Sequence, residues 1–430
     1  MKKTILIIIA IILMIGCSAP VLDGAKAVKA DVGFETIEFK GLRATASQNA
    51  KDAMSKSNQT GFEVFKIIYD KNQNVNQLMS PISLSYALAM VQNGAAGETQ
   101  NQILSALNYE GALDNSAYNE VMNIYNHMEA SSTEENPGAI LNIANSLWVR
   151  KDLAPEQPFV DSLKREYDSD VYTADFTSTE TVDSMNKWVE DKTKGLMKDT
   201  FKEFDPETVA ALINTLYFKG NWRNEFTESA TSKMSFDLSD GSKVDVDMMK
   251  NMGYYPYMET ESAQIISMGY HGNLRMLVYL PKEHLDAFFT DEIAQNVVVG
   301  IDNDSFETKK VDLFFPKFDF ETNNNLKEIL ISMGMTLPFD RSNADFSKLV
   351  VAPEGNVFIN NIFQNARIIV DEEGTEAAAV TVIEMAAESA MPVPDKPIEF
   401  KCDHPFLLVI QDEITGANLF MGVVNNPLEN

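Results

Sequence analysis

The side chains best suited to acid–base or metal chemistry in this chain are its histidines: His127, His271, His284 and His404. None lies in a His-Glu-x-x-His arrangement, and the chain has no Cys-x-x-Cys pair, no Gly-x-Ser-x-Gly elbow and no phosphate-binding Gly-Lys-Ser/Thr motif. His404 stands beside Pro405 and Phe406, which is more typical of a structural residue than of a ligand. We therefore expect no enzyme activity, no metal and no cofactor.

A different kind of chemistry is indicated by one run near the C-terminus, Asp371-Glu372-Glu373-Gly374-Thr375-Glu376-Ala377-Ala378-Ala379-Val380-Thr381. From Thr375 to Met385, every second residue is small or apolar, and the alternate set carries Glu376 and Glu384. Successive strand residues face opposite sides of a sheet, so this segment predicts a strand with one uncharged face. Gly374 offers backbone angles that a hinge needs. An ordinary edge strand and a mobile hinge fit this pattern almost equally well.

Composition limits the partners. The chain has 430 residues, of which 45% are hydrophobic, enough for one large domain or two modest ones. Its formal charge of −28 disfavours both nucleic acid and an anionic membrane surface as partners, and we expect no nucleic-acid binding. The two cysteines, Cys17 and Cys402, do not make a disulfide framework.

The N-terminus predicts export. Lys2 and Lys3 precede an apolar run, Ile5 to Ile15, which is too short for a typical membrane span. The run ends in Leu13-Met14-Ile15-Gly16-Cys17, which resembles a bacterial lipobox in which the cysteine is lipidated. We expect residues 1–16 to be a signal peptide and Cys17 to be a lipidated mature N-terminus. Simple secretion is the alternative, because Met14 is less typical of its position.

The elements that must position the C-terminal run follow a mixed order. Residues 17–57 are predicted to form a tether or leader. Helices are predicted around 61–69 and around 84–92, with Ser83 as the cap of the second helix. A buried strand is predicted over 209–218, and Ser239-Asp240-Gly241-Ser242 predicts a hairpin. Apolar strands close the chain. This order favours an α+β fold over a doubly wound sheet.

Motifs spread along the chain resemble the serpin family. The hinge run is the most specific of them, and the others occur in the family's order: Leu78-Met79-Ser80-Pro81-Ile82-Ser83, Leu141 to Trp148, Asn186-Lys187-Trp188-Val189, Asn214 to Trp222, Pro316-Lys317-Phe318, His404-Pro405-Phe406 and Phe420-Met421-Gly422. The resemblance covers residues 58–430. It implies helices around a large central mixed sheet and two smaller sheets, with an exposed reactive loop at about 372–394.

The resemblance also implies a hinge that enters the central sheet once a protease cuts the loop. The implied hinge residues are Glu372, Glu373, Gly374, Thr375, Glu376, Ala377, Ala378 and Ala379. Apart from Glu376, residues 376–382 are small or β-branched, as in members that inhibit.

Further residues are implied to hold the sheet closed. Ser80, Ser83 and Asn214 would form a hydrogen-bonded cluster where the sheet parts, and Glu372 with Lys317 would bridge its top near Trp222. Family members often have a histidine at the position of Gln364. An amide both donates and accepts hydrogen bonds, so the network would survive without a titratable group.

The bond to be cut is implied by counting. The family places it 14 residues after the hinge glycine, which gives Glu388, followed by Ser389. A buried glutamate needs a paired cation, so the target would be a glutamate-preferring serine protease. Cleavage after Met385 or Ala387 would suit subtilisin-like or elastase-like enzymes instead.

The expected function is therefore extracytoplasmic inhibition of a serine protease by a suicide substrate, acting as a monomer that reaches a membrane only through its lipid. The alternative is a non-inhibitory member acting as a surface binding or chaperone-like protein.

Overall fold

The computed structural model describes residues 22–39, 45–130, 139–282, 291–299, 305–350, 357–375 and 396–429. These residues form eight α-helices: α1 Gln48–Lys71, α2 Pro81–Gly94, α3 Gly97–Ala106, α4 Asn115–Ala130, α5 Gln157–Tyr167, α6 Thr179–Lys192, α7 Asp291–Val299 and α8 Lys327–Ser332. No helix in these ranges is both long and apolar enough to cross a membrane.

The same ranges contain sixteen strands: β1 Ala25–Ala27, β2 Gln77–Met79, β3 Ile140–Arg150, β4 Asp170–Ala174, β5 Ala210–Asn221, β6 Ser232–Asp237, β7 Lys243–Glu259, β8 Ala263–Gly269, β9 Leu274–Pro281, β10 Glu307–Pro316, β11 Phe318–Asn325, β12 Asn361–Val370, β13 Gly374–Thr375, β14 Ile398–Lys401, β15 Phe406–Asp412 and β16 Asn418–Val424. The predicted buried strand is β5, and the predicted hairpin joins β6 to β7.

Two sheets organise the strands. The central sheet has seven strands in the order β1-β4-β3-β5-β13-β12-β11, and it is mixed because β3 with β4 and β5 with β12 are parallel. The second has nine, in the order β14-β10-β7-β8-β9-β15-β16-β2, with β6 beside β7. The long strand β7 thus joins the two smaller sheets that were expected. The predicted α+β fold is confirmed.

The hydrophobic core lies on both faces of the central sheet. Even-numbered residues of β5, such as Leu212 and Leu216, face the main core shared with α1 and α2. Odd-numbered ones, such as Ile213, face a smaller cluster built around Trp188 of α6 and Trp148. Because β5 is buried on both faces, any strand that joins it must also present two faces to packed surroundings.

The predicted tether over residues 17–57 is wrong for the residues that the structure describes. Ala25–Ala27 pair with β4 and form an edge of the central sheet, and α1 begins at Gln48, not after residue 57. The pairing uses backbone groups, which any sequence possesses, so polar residues without periodicity gave no signal. The folded domain therefore starts no later than Leu22.

The predicted cap of α2 is also corrected. Ser80, not Ser83, is the N-cap residue, and its side chain accepts a hydrogen bond from the Ser83 backbone N–H at 3.2 Å. Pro81 occupies the first turn, where its missing N–H leaves no donor unpaired. This arrangement places both serines at the start of a buried helix beneath the central sheet.

Candidate functional site

The candidate site is the seam between β5 and β12 in the centre of the seven-stranded sheet. These strands pair directly only at one end, from Asn361 opposite Ala211 to Asn365 opposite Thr215. At the other end β13 separates them, with Gly374 opposite Asn221 and Thr375 opposite both Gly220 and Val370. Two residues of the predicted hinge, Gly374 and Thr375, thus already form a short strand within the sheet.

Gly374 is required for a reason that differs from the expected one. Its φ is not positive, so hinge-like backbone angles do not explain the glycine. A Cβ atom at this position would lie 2.2 Å from the carbonyl oxygen of Gly220 and 2.8 Å from the Cα of Asn221. Any side chain would therefore clash with β5, and the close approach of two backbones selects glycine.

Thr375 is the last described residue of β13. It is 2% exposed, and its hydroxyl lies 2.7 Å from the hydroxyl of Tyr270. Tyr270 in turn stacks on Trp222, with ring centroids 4.3 Å apart. Tyr270 is not among the predicted site residues, and it lies 105 residues from Thr375 along the chain. No local pattern could have indicated this contact.

A tight acidic turn precedes the inserted strand. One carboxylate oxygen of Asp371 accepts hydrogen bonds from the backbone N–H groups of Glu373 and Gly374, at 3.0 and 3.2 Å. The Asp371 N–H donates to the carbonyl of Gly374 at 3.0 Å, which closes the turn. The turn therefore reverses the chain from β12 into β13.

Trp222 joins this turn to the end of β5. Its backbone N–H donates to the carbonyl of Glu373 at 2.8 Å, and its indole Nε1–H donates to that of Asp371 at 3.1 Å. The N–H of Phe226 donates to the Glu372 carbonyl at 2.9 Å. These bonds place Trp222 at the top of the seam.

Glu372 makes an ion pair with Lys317 at 2.6 Å, as the resemblance implied. The Thr231 hydroxyl donates to its other carboxylate oxygen at 2.7 Å. Burial by itself would raise the pKa of Glu372, but the hydrogen bonds from Lys317 and Thr231 outweigh it, so the pKa is lowered. The carboxylate thus stays charged and fixes the turn at the top of the seam.

Neutral polar groups hold the opposite end of the seam. Gln364 of β12 forms two hydrogen bonds with the backbone of Ser80, accepting from its N–H at 2.9 Å and donating to its carbonyl at 2.8 Å. The Ser83 hydroxyl donates to the side-chain oxygen of Asn214, whose amide donates to the Ser83 carbonyl at 2.8 Å. Asn214 of β5 also donates to Asn145 of β3. Ser80, Ser83, Asn214 and Gln364 are thus brought together, and they tie both sides of the seam to α2.

The middle of the seam is unpaired in the part of the chain that the structure describes: Leu216–Lys219 of β5 and Ala366–Ile369 of β12 have no strand between them. At the fork, Asn365 and Thr215 are fully buried. Neither the side-chain amide of Asn365 nor the hydroxyl of Thr215 has a hydrogen-bond partner among the described residues. Unpaired buried polar groups cost free energy, on the order of 1–3 kcal/mol each.

The segment that follows α6 crosses this seam. Asn142 of β3 donates to the carbonyl of Lys192, on the near side, at 3.0 Å. On the far side, Arg367 of β12 donates to the carbonyl of Leu196 at 2.7 Å, and Asn323 of β11 to that of Thr200 at 3.2 Å. Widening the seam would have to break or move these bonds.

Several predicted site residues lie outside the described residues. They are the remaining hinge positions Glu376, Ala377, Ala378 and Ala379, the candidate scissile pair Glu388 and Ser389, and the candidate lipidation site Cys17.

Comparison with known proteins agrees with this fold. Residues 55–427 match the sequence model of the family described as serpin (serine protease inhibitor). The chain is 32% identical over 402 residues to an uncharacterized serpin-like protein of Methanosarcina acetivorans, covering 89% of this chain and 88% of the relative. It is 29% identical to an alpha-1-antiproteinase of Rattus norvegicus over 85% of this chain and 87% of the relative.

A solved structure supports the same assignment. The native thermophilic serpin tengpin matches with a TM-score of 0.77 and 28% identity, covering 94% of this chain and all of that one. Serpins are generally protease inhibitors and not enzymes. On the family match, the relatives and the fold together, the chain belongs to the serpin family.

Proposed function

We propose that this serpin inhibits a serine protease by acting as a suicide substrate. The observation that carries the proposal is β13: two hinge residues already occupy the position of a new central strand, and the seam beyond them is unfilled among the described residues. A strand added there would pair with both neighbours. β-Strand addition of this kind gains backbone hydrogen bonds along its length.

The register of β13 specifies which residues would follow. Thr375 lies opposite Gly220 and Val370, and an antiparallel strand continuing in that register would put Thr381 between Asn214 and Gln364. A threonine hydroxyl fits there, since both neighbours carry amides that donate and accept. The same register would place Glu376 beside Lys219, which offers it a cation. The residues of the loop are thus compatible with insertion between β5 and β12 in this register.

The chemical step belongs to the protease. Its serine oxygen attacks the carbonyl carbon of Glu388, and the peptide bond to Ser389 breaks. The amino group of Ser389 takes up a proton and leaves as a new N-terminus, while Glu388 remains joined to the protease as an ester. Insertion of the freed strand would then carry the protease away and distort its active site before water cleaves the ester.

The test is incubation with a glutamate-specific serine protease, with a subtilisin and with an elastase, followed by denaturing electrophoresis. We expect an SDS-stable complex with the glutamate-specific enzyme and release of a fragment that begins at Ser389, identified by mass spectrometry. Glu388→Ala should reduce that reaction and favour the elastase. Cleaved inhibitor with every protease still active would contradict inhibition and favour the non-inhibitory alternative.

We also propose that the protein acts outside the cytoplasm, held by a lipid on Cys17 or secreted. Since Leu22 already belongs to the folded part, only residues 18–21 would separate the lipidated residue from the domain. Five residue steps reach at most about 18 Å, so an anchored molecule would lie close to the membrane surface. Fractionation of cells expressing wild type and Cys17→Ala tests this: the wild type should sediment with membranes, and the variant should not.

A further inference from the structure

The N-terminal part of the described chain enters the central sheet at the end where β5 begins, which we call the base. β1 pairs with β4, with Ala25 opposite Ala174, and β4 pairs with β3, with Ala174 opposite Arg150. The neighbouring residue of β3, Val149, lies opposite Ala210, the first residue of β5. The start of β1 is therefore level with the start of β5.

The reactive loop leaves and rejoins the described fold at the opposite end of the sheet. Thr375 lies opposite Gly220, near the last residue of β5. The returning strand β14 pairs with β10, which pairs with β7, and there Asn251 donates to the carbonyl of Glu225, just beyond β5, at 2.8 Å. From Ala210 to Gly220, a rise of about 3.3 Å per residue separates the two ends by roughly 33 Å.

The N-terminal segment is firmly fixed at the base. Leu22 is 8% exposed and packs in the smaller core cluster beneath α6. The N–H of Gly24 donates to the Ser184 hydroxyl at 2.9 Å, and the Thr181 hydroxyl donates to the Gly24 carbonyl at 3.0 Å. A Cβ atom on Gly24 would lie 2.1 Å from the carbonyl oxygen of Glu180, so this turn fits tightly against the start of α6. The point at which the preceding residues join the fold is therefore well defined.

The proposed lipid would hold this point close to the membrane. Only residues 18–21 separate Cys17 from Leu22, and five residue steps reach at most about 18 Å. The base would then face the bilayer. When the strands of the central sheet stand perpendicular to the surface, the ends of the reactive loop lie about 33 Å farther out than the base.

Charge favours this upright orientation over one in which the molecule lies on its N-terminal side. In the segment from Leu22 to Phe39, exposed carboxylates outnumber exposed lysines, with Asp23, Asp31, Glu35 and Glu38 against Lys26 and Lys29. The whole chain has a formal charge of −28. An anionic bilayer repels such a surface within a Debye length of about 8 Å. A molecule on its side would bring this whole segment into that layer, whereas an upright one brings only its base.

This geometry limits which proteases can engage the loop. A serine protease of roughly 220 residues has a radius of gyration of about 17 Å, so it is about 40 Å across. To cut the loop it must dock at the end of the molecule that is farthest from the anchor. A protease held at the same membrane by a short linker would have to reach over the inhibitor, whereas a soluble protease meets no such obstacle.

We propose that the anchored protein stands on its N-terminal base and presents the reactive loop at its far end, where it takes soluble proteases from the medium in preference to proteases held at the same membrane. The orientation rests on the proposed lipid on Cys17, and the partner class rests on the proposed function of the reactive loop as the point of protease attack. Both are assigned from the positions of Leu22 and Thr375 at opposite ends of the central sheet.

The functional test places lipidated wild type in vesicles that contain anionic phosphatidylglycerol. The protease is whichever of the glutamate-specific enzyme, the subtilisin and the elastase cuts the reactive loop fastest. It is added free, or it is coupled to lipids of the same vesicles through a linker of about 5 or about 40 glycine and serine residues, of which only the longer can extend beyond 100 Å. The measured quantity is the rate at which the intact loop is consumed, which counts inhibition and simple cleavage together.

Free protease should consume vesicle-bound wild type within about twofold of its rate on Cys17→Ala in solution, because the loop is clear of the membrane. Protease on the short linker should react at least about tenfold more slowly than protease on the long one, although a short linker that could span the distance would give the higher effective concentration. Both coupled forms should cut a small peptide substrate equally fast. Equal rates of loop cleavage with the two linkers, or a tenfold loss for free protease on vesicles, would overturn the proposed partner class.

A second measurement tests the orientation with matched labelled variants. Asp152→Cys carries a dye at the base, just after β3, and Glu228→Cys carries it just beyond the other end of β5; both positions are exposed. Cys402 is fully buried and Cys17 would carry the lipid, so neither takes up the dye. Energy transfer to acceptor lipids should be strong from the base and weak from the far end.

The outcomes separate this inference from the proposals beneath it. Equal energy transfer from the two labels would overturn the upright orientation alone. A wild type that carries no lipid by mass spectrometry would refute the anchor and this orientation with it, while an SDS-stable complex in solution would still support inhibition. Cleavage by free protease without such a complex would contradict inhibition, and the comparison of linkers would still decide the partner class.

Discussion

The two ends of the β5–β12 seam are held by different kinds of interaction. At the upper end a two-residue strand separates β5 from β12, and a charged pair, Glu372 with Lys317, fixes the turn before it. At the lower end the strands pair directly, and uncharged side chains such as Asn214 and Gln364 tie them to α2. The upper end is thus prepared to admit a strand, and the lower end resists it.

Because of this difference, the two ends of the seam affect different steps of strand insertion. The first residues need no new opening, because Gly374 and Thr375 are already in place. In the register of β13, residues 376–379 would enter the unpaired middle of the seam, and only insertion beyond residue 379 must separate the pairs from Asn361 to Asn365. The buried Asn365 amide and Thr215 hydroxyl at the fork would then gain new neighbours. We infer that the lower contacts set the barrier against premature insertion, and that the upper contacts set its direction and register.

The largest effect is expected at the upper end, where Thr375→Arg would place a long cation at a position that is 2% exposed. A buried unpaired charge is costly, so the hinge would stay outside the sheet and the protease would escape after cleavage. Titration of the target protease should show loss of inhibition, while the loop is still cut. Thr179→Arg, at an exposed threonine at the start of α6, should inhibit normally. Normal inhibition by Thr375→Arg would contradict insertion through this seam.

At the lower end, Asn214→Ala should destabilise the native state by about 2–4 kcal/mol, because Ser83 and Asn145 lose buried partners. Urea unfolding measures this change. We also expect inhibitory activity to decay faster on mild heating than in wild type, since the seam is less firmly closed. Asn101→Ala, at an exposed asparagine, is the control; equal decay rates for the two variants would remove Asn214 from the barrier.

The charged end predicts acid sensitivity. Because the folded-state pKa of Glu372 lies below its ordinary value of 4.5, its stabilising contribution is complete above that value and is lost as pH falls through the lowered pKa. Lys317 is partly exposed, so the contribution is on the order of 1 kcal/mol or less. Glu372→Gln should therefore lose less stability than wild type between pH 5 and about pH 3, measured by thermal unfolding. Glu203→Gln, at an exposed glutamate, should follow wild type.

The neutral end should respond to pH only if a titratable group is introduced. Gln364→His can accept from the Ser80 N–H and donate to its carbonyl only while the imidazole is neutral. Protonation removes the acceptor, which lowers the folded-state pKa, so stability should fall as pH drops below about 6.5. The expected change is small, about 1 kcal/mol, and Gln59→His on the surface should not show it. A flat profile for Gln364→His would mean that the Ser80 contacts do not contribute.

The sequence predicted most of what local pattern and ordered motifs can specify. Alternation and turn residues located β5 and the β6–β7 hairpin, and the spaced motifs identified the fold and the residues around the seam. The Lys317–Glu372 pair was expected because each residue belongs to its own recognisable motif. Such predictions work where a short stretch of residues carries the signal.

Long-range contacts of individual residues were not predictable in this way. Tyr270 and Thr231 reach the hinge from elements far away in the chain, and neither stands in a distinctive local pattern. The reason for Gly374 was misjudged because its neighbour, the Gly220 carbonyl, is brought close only by the sheet. The strand Ala25–Ala27 was missed because backbone pairing at a sheet edge leaves little trace in side-chain composition.

The N-terminal strand β1 provides a fixed edge from which the width of the central sheet can be measured. β1 lies at one edge, with β4, β3 and β5 beside it, and β11 lies at the other edge beyond the seam. Each additional strand widens a sheet by about 4.8 Å. A spectroscopic probe pair on Ala27 and Glu321 would therefore lengthen by roughly that distance when a full strand enters, whereas a pair on Ala27 and Arg150 would not change. The edge strand β1 thus provides a fixed reference for measuring, in solution, whether a full strand has entered the sheet.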